Sequence, residues 1–133
     1  MTALVPDSYP SGTVPAIRQV MMPRDTNAVG TIFGGVILSQ IDLAAAIEAH
    51  THHLGKVVTV SMDKVDFKAP VRVGDLVSFF TETRKTGRTS ITVHVAVWAQ
   101  GRFGGGVRSY VTEAEVTMVA VDDDFKPTPI GSA

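Results

Sequence analysis

The sequence predicts an α+β domain in which one long helix is wrapped by a mostly antiparallel sheet of five to six strands, in the order β-α-β-β-β-β. Three observations carry this. Residues 35–53 place apolar side chains around most of a helical wheel, so that helix has to be covered on nearly all sides. From Val57 onward the apolar period changes to two, the period of a strand. The connections between the later strands are too short for parallel crossovers, which need a dozen residues or more.

With 133 residues the chain is long enough for one core and short for two, so residues 1–133 are read as a single domain. Residues 1–15 hold three of the seven prolines together with Ser, Gly and Asp, and read as an extended leader that docks late or stays mobile. The first strand is Ile17 to Met22, and Pro23 ends it because proline has no N–H to donate. A loop follows to Gly34. The helix, Gly35 to about His53, contains Val36, Ile37, Leu38, Ile41, Leu43, Ile47 and a run of alanines, and Gly55 supplies its stop.

Val58, Val60 and Met62 then alternate before the apolar parity shifts to Val65 and Phe67, which predicts one long strand with a bulge near Asp63 and Lys64. Val77, Phe79 and Thr81 mark the next strand. The cleanest alternation sets Ile91, Val93, Val95 and Val97 on one face against Thr92, His94, Ala96 and Trp98 on the other, with KTGRT before it as the hairpin turn. The glycine-rich turn Gly101 to Gly106 leads into the last strand, Val107 to Val121, and residues 122–133 read as a tail. A sheet curled around one helix is the hotdog arrangement. Pairing two such sheets edge to edge hides an edge of each, so a dimer follows.

Composition narrows the function. A net charge of -1 gives no electrostatic reason to expect nucleic acid or an anionic membrane as partner. The mean hydropathy of +0.19 is high for so small a chain, which again points to a subunit interface. The absence of cysteine excludes disulfides, thiolate metal sites and a cysteine nucleophile. The N-terminus lacks both a basic region and a continuous apolar stretch, so a cytoplasmic protein is expected.

The chemistry concentrates in NAVGTIFGGVILSQID, Asn27 to Asp42. Asp42 shares its helical face with Leu38, Ser39, Ala45 and Ala46, where desolvation would disfavour the charged carboxylate; a hydrogen-bonded structural aspartate is the alternative. Gly30, Gly34 and Gly35 permit close backbone approach, and the free N–H groups of a first helical turn suit a carbonyl oxygen or an anion. The Lys-Ser/Thr pair of a phosphate loop and the GxGxxG spacing are both missing. Gly35 and Asp42 are seven residues apart, so they share a face yet lie roughly 10 Å apart along the axis. If the Gly34-Gly35 amides and the Asp42 carboxylate act on one carbonyl carbon, they come from two chains with antiparallel helices.

These residues resemble the acyl-CoA thioesterases of the hotdog superfamily, and within them the bacterial YciA-type acyl-CoA hydrolases. The resemblance rests on MPRDTNAVGTIFGGVILSQID (Met22 to Asp42), VVTVSMDKVDFKAPVRVGD (Val57 to Asp75) and TGRTSITVHVAVW (Thr86 to Trp98), and extends over about residues 17–125. It implies hydrolysis of an acyl-CoA thioester to a free acid and CoA. Asp42 would be the general base or nucleophile, the amide of Gly34 or Gly35 would polarise the carbonyl, and the site would be shared between subunits of a homodimer or a trimer of dimers. Asn27 becomes a candidate for orienting substrate or water. The chain departs from the family at Thr31, where similar members carry Asp or Asn. A hydroxyl there can hydrogen-bond but cannot act as a base, which leaves a non-catalytic acyl-CoA binding or sensing protein as the alternative reading.

The hairpin RKTGRTS offers cations and hydroxyls suited to the phosphates of CoA: Arg88 first, then Lys85, with Gly87, Thr89 and Ser90. CoA enters as part of the substrate, and no separate cofactor or metal is expected. HTHH, His50 to His53, has no accompanying carboxylate pattern, and cations at a helix C-terminus are favoured by its dipole in any case. His94 is expected to pack. Ser39, His50 and Asp42 lie strung along one helix and cannot adopt triad geometry. No histidine falls within Asn27 to Asp42, as a hydratase of this fold would require.

Overall fold

Five antiparallel strands and one helix build the protein, seen in a computed structural model that describes residues 8–103 and 105–132. The elements are β1 (Ile17–Val20), a 3-10 turn (Pro23–Asp25), α1 (Gly34–Ala49), β2 (Val57–Asp63), β3 (Leu76–Thr86), β4 (Ser90–Gln100) and β5 (Arg108–Ala120). Spatially the strands run β1-β3-β4-β5-β2, which leaves β1 and β2 at the two edges. The concave face of the sheet holds α1 as expected, and the strand count is five.

The two faces of β4 are both apolar, for different reasons. Ile91, Val93, Val95 and Val97 pack against Ile37, Ile41, Ala44 and Ala45 of the helix. On the outer face Ala96 and Trp98 join Phe80 in a second small cluster, covered by Tyr9, whose ring stands edge-on to Phe80 and Trp98 at 5.5 and 5.4 Å. The first seven leader residues lie outside the described ones. Residues 8–15 are docked by Tyr9 and by the bond of the following Ala16 N–H to the Phe79 carbonyl at 2.9 Å. The tail is docked too: Thr128 N–H donates to Ala120 O and Ile130 N–H to Arg88 O, both at 2.9 Å, and Ile130 packs on the core.

Four expectations are corrected. The first strand stops at Val20; Met21 still exchanges bonds with Asp75 and Gly74, but the chain then turns at Pro23. The helix ends at Ala49 rather than His53, because the Thr51 and His52 N–H groups reach back only three residues and the Thr51 hydroxyl competes for the Glu48 carbonyl. The bulge in β2 sits between Thr59 and Ser61, not at Asp63 and Lys64. Lys64 instead adopts a left-handed φ of 64° that ends the strand. The bulge inverts the assumed parity, so Thr59 faces the helix and Val60 stands 57% exposed.

The helix is also not covered on all sides within one protomer. Ile37, Ile41, Ala44, Ala45 and Ala49 are buried, but Leu43 and Ile47 remain 54% and 48% exposed. This open stripe and Val60 on edge strand β2 leave apolar surface that the chain's own sheet does not reach.

Candidate active site

The turn before the helix is organised by one side chain. Asn27 Oδ1 accepts the N–H groups of Val29 and Thr31 at 2.9 and 3.1 Å, and its Nδ2 donates to Thr31 Oγ1 at 2.9 Å. Gly30 completes the turn with φ 91°, a conformation that side chains rarely adopt. Asn27 was expected to orient substrate or water; in the structure its amide is engaged in shaping the loop and holding Thr31. The Thr31 hydroxyl accepts that bond, and its own proton has no acceptor among the described residues.

The loop then delivers an open helix terminus. Phe33 is the N-cap and offers no side-chain bond; its N–H is tied to Asp25 O, and Val36 N–H returns to Phe33 O. The N–H groups of Gly34 and Gly35 have no partner among the described residues, and they stand at the positive end of the helix. Thr31 and Gly34 face a cleft of about 340 Å³ whose walls are Ile32 and Ile37 on one side and residues 67–71 on the other. Gly35 does not line it and lies under the Phe33 ring, which a Cβ would approach to 2.8 Å. Of the two glycines, the structure therefore places Gly34 at the cleft.

Asp42 lies two turns further along α1. It is half-buried in the protomer, not fully enclosed, and accepts a hydrogen bond from Thr59 Oγ1 on β2. Sequence reasoning missed Thr59, because the pattern around Val58, Val60 and Met62 assigned it to the outer face and only the bulge turns it inward. Around Asp42 the exposed Leu43 and Ile47 mark the side that the protomer leaves open. Asp42 and the helix terminus are not brought together within one chain.

The same holds for the hairpin. Gly87 N–H bonds Ser90 O at 2.8 Å, and a Cβ at Gly87 would meet Ser90 Oγ at 2.6 Å, so a larger residue there would require the serine hydroxyl to turn away. Thr89 O and Arg88 O accept from Ala120 and Ile130, which anchors the turn on β5 and the tail. Lys85 and Arg88 are exposed and have no carboxylate partner among the described residues. The cleft wall is bonded to Val111, beside Val97 on β4, so cleft and hairpin are separated by about seven residues of strand, roughly 23 Å at about 3.3 Å each. Asp42, in contrast, lies at the hairpin's end of the sheet, since its partner Thr59 pairs with Met118 and Met118 with Ile91.

Other titratable groups lie away from this arrangement. His50 Nδ1 bonds the His53 carbonyl, His52 Nε2 bonds Thr83 Oγ1, and buried His53 accepts from Gly131 N–H, so the three point to different partners. Among the described residues no group of three or more His, Cys, Asp or Glu is placed to hold a metal. His94 is buried on the outer sheet face, with Nε2 3.0 Å from Glu113 Oε1. Burial holds its pKa below the ordinary value, helped by the Arg84 charge and opposed by Glu113, Glu115 and Glu82.

The chain is similar to known proteins. A family model described as the thioesterase superfamily matches residues 29–102. The chain is 42% identical over 126 residues to the acyl-CoA thioester hydrolase YciA of Salmonella typhimurium, covering 93% of this chain and 94% of that one. A hexameric hotdog fold thioesterase of Campylobacter jejuni superposes with a TM-score of 0.83 at 50% identity, over 90% and 91% of the two chains. An acyl-CoA hydrolase from Staphylococcus aureus, solved with butyryl coenzyme A, coenzyme A and coenzyme A disulfide, superposes with a TM-score of 0.77 at 33% identity, over 86% and 69%.

Proposed function

On the premise that the chain belongs to the thioesterase superfamily and has the hotdog fold, we propose that it hydrolyses acyl-CoA thioesters to a free carboxylic acid and CoA. The observation that carries this reading is the pair of half-sites: an open helix terminus beside a cleft, and a Thr59-held carboxylate about 10 Å along the same helix. Two protomers with antiparallel helices complete each half with the other. The uncovered Leu43 and Ile47 and the free edge of β2 supply the contact. Three such dimers would make a hexamer, and the Campylobacter protein is hexameric.

In the completed site the thioester carbonyl oxygen accepts from the Gly34 N–H and the Thr31 hydroxyl, where negative charge develops as the carbon becomes tetrahedral. The partner's Asp42 lies on the other side of that carbon. As a general base it takes a proton from water as the water oxygen bonds the carbon; the C–S bond then breaks and the proton passes to the leaving CoA sulfur. As a nucleophile it bonds the carbon directly, expels CoA and leaves an anhydride that water opens. A single turnover in labelled water separates the two where water opens the anhydride at the Asp42 carbonyl, since the label then stays in Asp42, whereas the general-base route puts it only in the released acid. Asn27 is a positioning residue for Thr31, and the partner's Thr59 positions the carboxylate. Arg88 and Lys85, with the Gly87, Thr89 and Ser90 backbone and hydroxyls, take the CoA phosphates.

No resident metal or cofactor enters this scheme. Among the described residues no helix is long and apolar enough to cross a membrane, and a cytoplasmic location is part of the proposal. A panel of acyl-CoAs with a thiol reagent tests the reading: CoA release by the native chain and a loss of 10³-fold or so in Asp42→Ala are expected. Tight acyl-CoA binding without release would favour the non-catalytic alternative, and full activity in Asp42→Ala would overturn the assignment of Asp42.

A further inference from the structure

We propose that the HTHH run at the end of α1 braces the hairpin that takes the CoA phosphates: His53 and His52 are positioning residues for CoA, each acting through a different arm of the Arg88 turn. This rests on the reading of Arg88 and Lys85 as phosphate ligands and adds what fixes their place relative to the Asp42 helix.

The partners of the three rings assign their roles. The His53 carbonyl only accepts, so His50 Nδ1, 3.0 Å away, carries a proton. The Gly131 N–H only donates, so buried His53 presents Nδ1 to it as a lone pair, at 3.1 Å. Thr83 spends its one hydroxyl proton on Glu48 Oε2 at 2.7 Å, so His52 Nε2, 2.9 Å from the same oxygen, is a donor. Thr81 holds the other Glu48 oxygen at 2.9 Å. A helix terminus at the surface can leave its free carbonyls to water. Here His52 and His53 instead reach segments 31 and 78 residues away in the chain, and both segments lead to the same turn.

The His53 arm leads to Arg88. Ile130, which precedes the Gly131 that His53 holds, donates its N–H to the Arg88 carbonyl at 2.9 Å. Among the described residues this is the backbone bond that Arg88 itself makes; Gly87 and Ser90 bond each other, and Thr89 bonds Ala120. The His52 arm leads to Lys85. A bulge lies between Thr83 and Lys85, so Lys85 pairs with Thr92 on the outer row instead of continuing the helix-facing row of Thr81 and Thr83. His52 and Glu48 hold Thr83, the residue at which that change of face begins. Because Asp42 stands on the same helix, the two cations and the carboxylate of one protomer are held as a unit.

The test is Kd for CoA by calorimetry with the assembled protein, beside kcat for butyryl-CoA and kcat/KM for butyryl-pantetheine, which lacks the phosphates. In His53→Phe, Kd for CoA is expected to rise by about three- to tenfold, the worth of one hydrogen bond. Its kcat for butyryl-CoA and its kcat/KM for butyryl-pantetheine should stay within about twofold of native. His53→Asn, whose Oδ1 can accept from Gly131, should restore most of the native Kd. The double-mutant cycle decides the route: in an Arg88→Ala background His53→Phe should weaken CoA no further, because the brace acts through that side chain. A His53→Phe protein that melts lower yet binds CoA with the native Kd, or whose loss persists in full without Arg88, overturns the proposal. If His53→Phe does not fold, His52→Ala at its exposed site and its cycle with Lys85→Ala are read in the same way. Failure of the underlying readings looks different: Arg88→Ala and Lys85→Ala bind CoA as tightly as the native protein if the hairpin takes no phosphate, which overturns the brace with it. A native chain that releases no CoA from any thioester refutes the hydrolase reading alone, since Kd still reports the brace.

Discussion

Replacing Gly34 by proline deletes one N–H and adds its ring carbons beside the Phe67 wall of the cleft. Gly34 is the first residue of α1, the helical position proline favours, because its missing N–H has no intrahelical partner. The preceding Phe33 has φ -60° and ψ 130°, the extended conformation a following proline requires. The fold should therefore tolerate Gly34→Pro within about 1 kcal/mol, with some gain from the stiffer unfolded chain. Catalysis should not. Losing one preorganised donor to a developing oxyanion costs about 3 to 4 kcal/mol, or 10²- to 10³-fold in kcat. Gly34→Ala is the control: its Cβ would meet the Phe67 ring at 3.7 Å, an ordinary contact, and the N–H is kept, so its loss should be no more than several-fold. The assay is thiol release from butyryl-CoA at saturating substrate, beside a thermal melt of each variant. A folded Gly34→Pro protein with kcat within threefold of the native value would refute the assignment of this amide.

Three further outcomes follow from the same contacts. Asn27→Ala removes the acceptor of two backbone N–H groups and the donor to Thr31, so it should destabilise the fold by about 2 kcal/mol and lower kcat together. Asn27→Asp keeps the two accepted bonds and should recover most of the melting temperature but not the rate. Arg88→Ala and Lys85→Ala should raise KM for acyl-CoA by about tenfold each with little change in kcat, and should not affect thioesters that lack the nucleotide. His94 binds its proton less readily folded than unfolded, so the native state loses stability as pH falls from about 6.5 toward its lowered pKa. That loss is at most about 1.4 kcal/mol per pH unit, and denaturant titrations of His94→Gln should show it flattened.

The sheet was legible because period-two alternation survives wherever one face meets the helix, as in Ile91 to Val97. The helix was legible for its apolar content, but that same content could not say which covering was intramolecular: Leu43 and Ile47 read like Ile37 and Ile41 and yet stay open in the protomer. Thr59 was hidden by a bulge that a parity count displaces by several residues. The helix end was hidden because Thr51 takes the Glu48 carbonyl, a local bond with no periodic signature. Asn27 was singled out for the right loop, but its engagement with Val29 and Thr31 depends on the turn that Gly30 permits. The cleft drew its walls from Ile32, Ile37 and residues 67–71, which are distant in sequence and meet only when Lys68 bonds Val111 and Ile32 bonds Val71.

The shared site is tested most directly by mixing subunits. Asp42→Ala and Gly34→Pro chains carry different halves of the defect, so a dimer of one of each retains one site with both groups intact. Co-expressing the two with distinct tags and allowing random pairing should restore about one quarter of native activity, while each variant alone stays near background. Activity that remains at background in purified mixed dimers would place Asp42 and Gly34 in one chain's site and contradict the account.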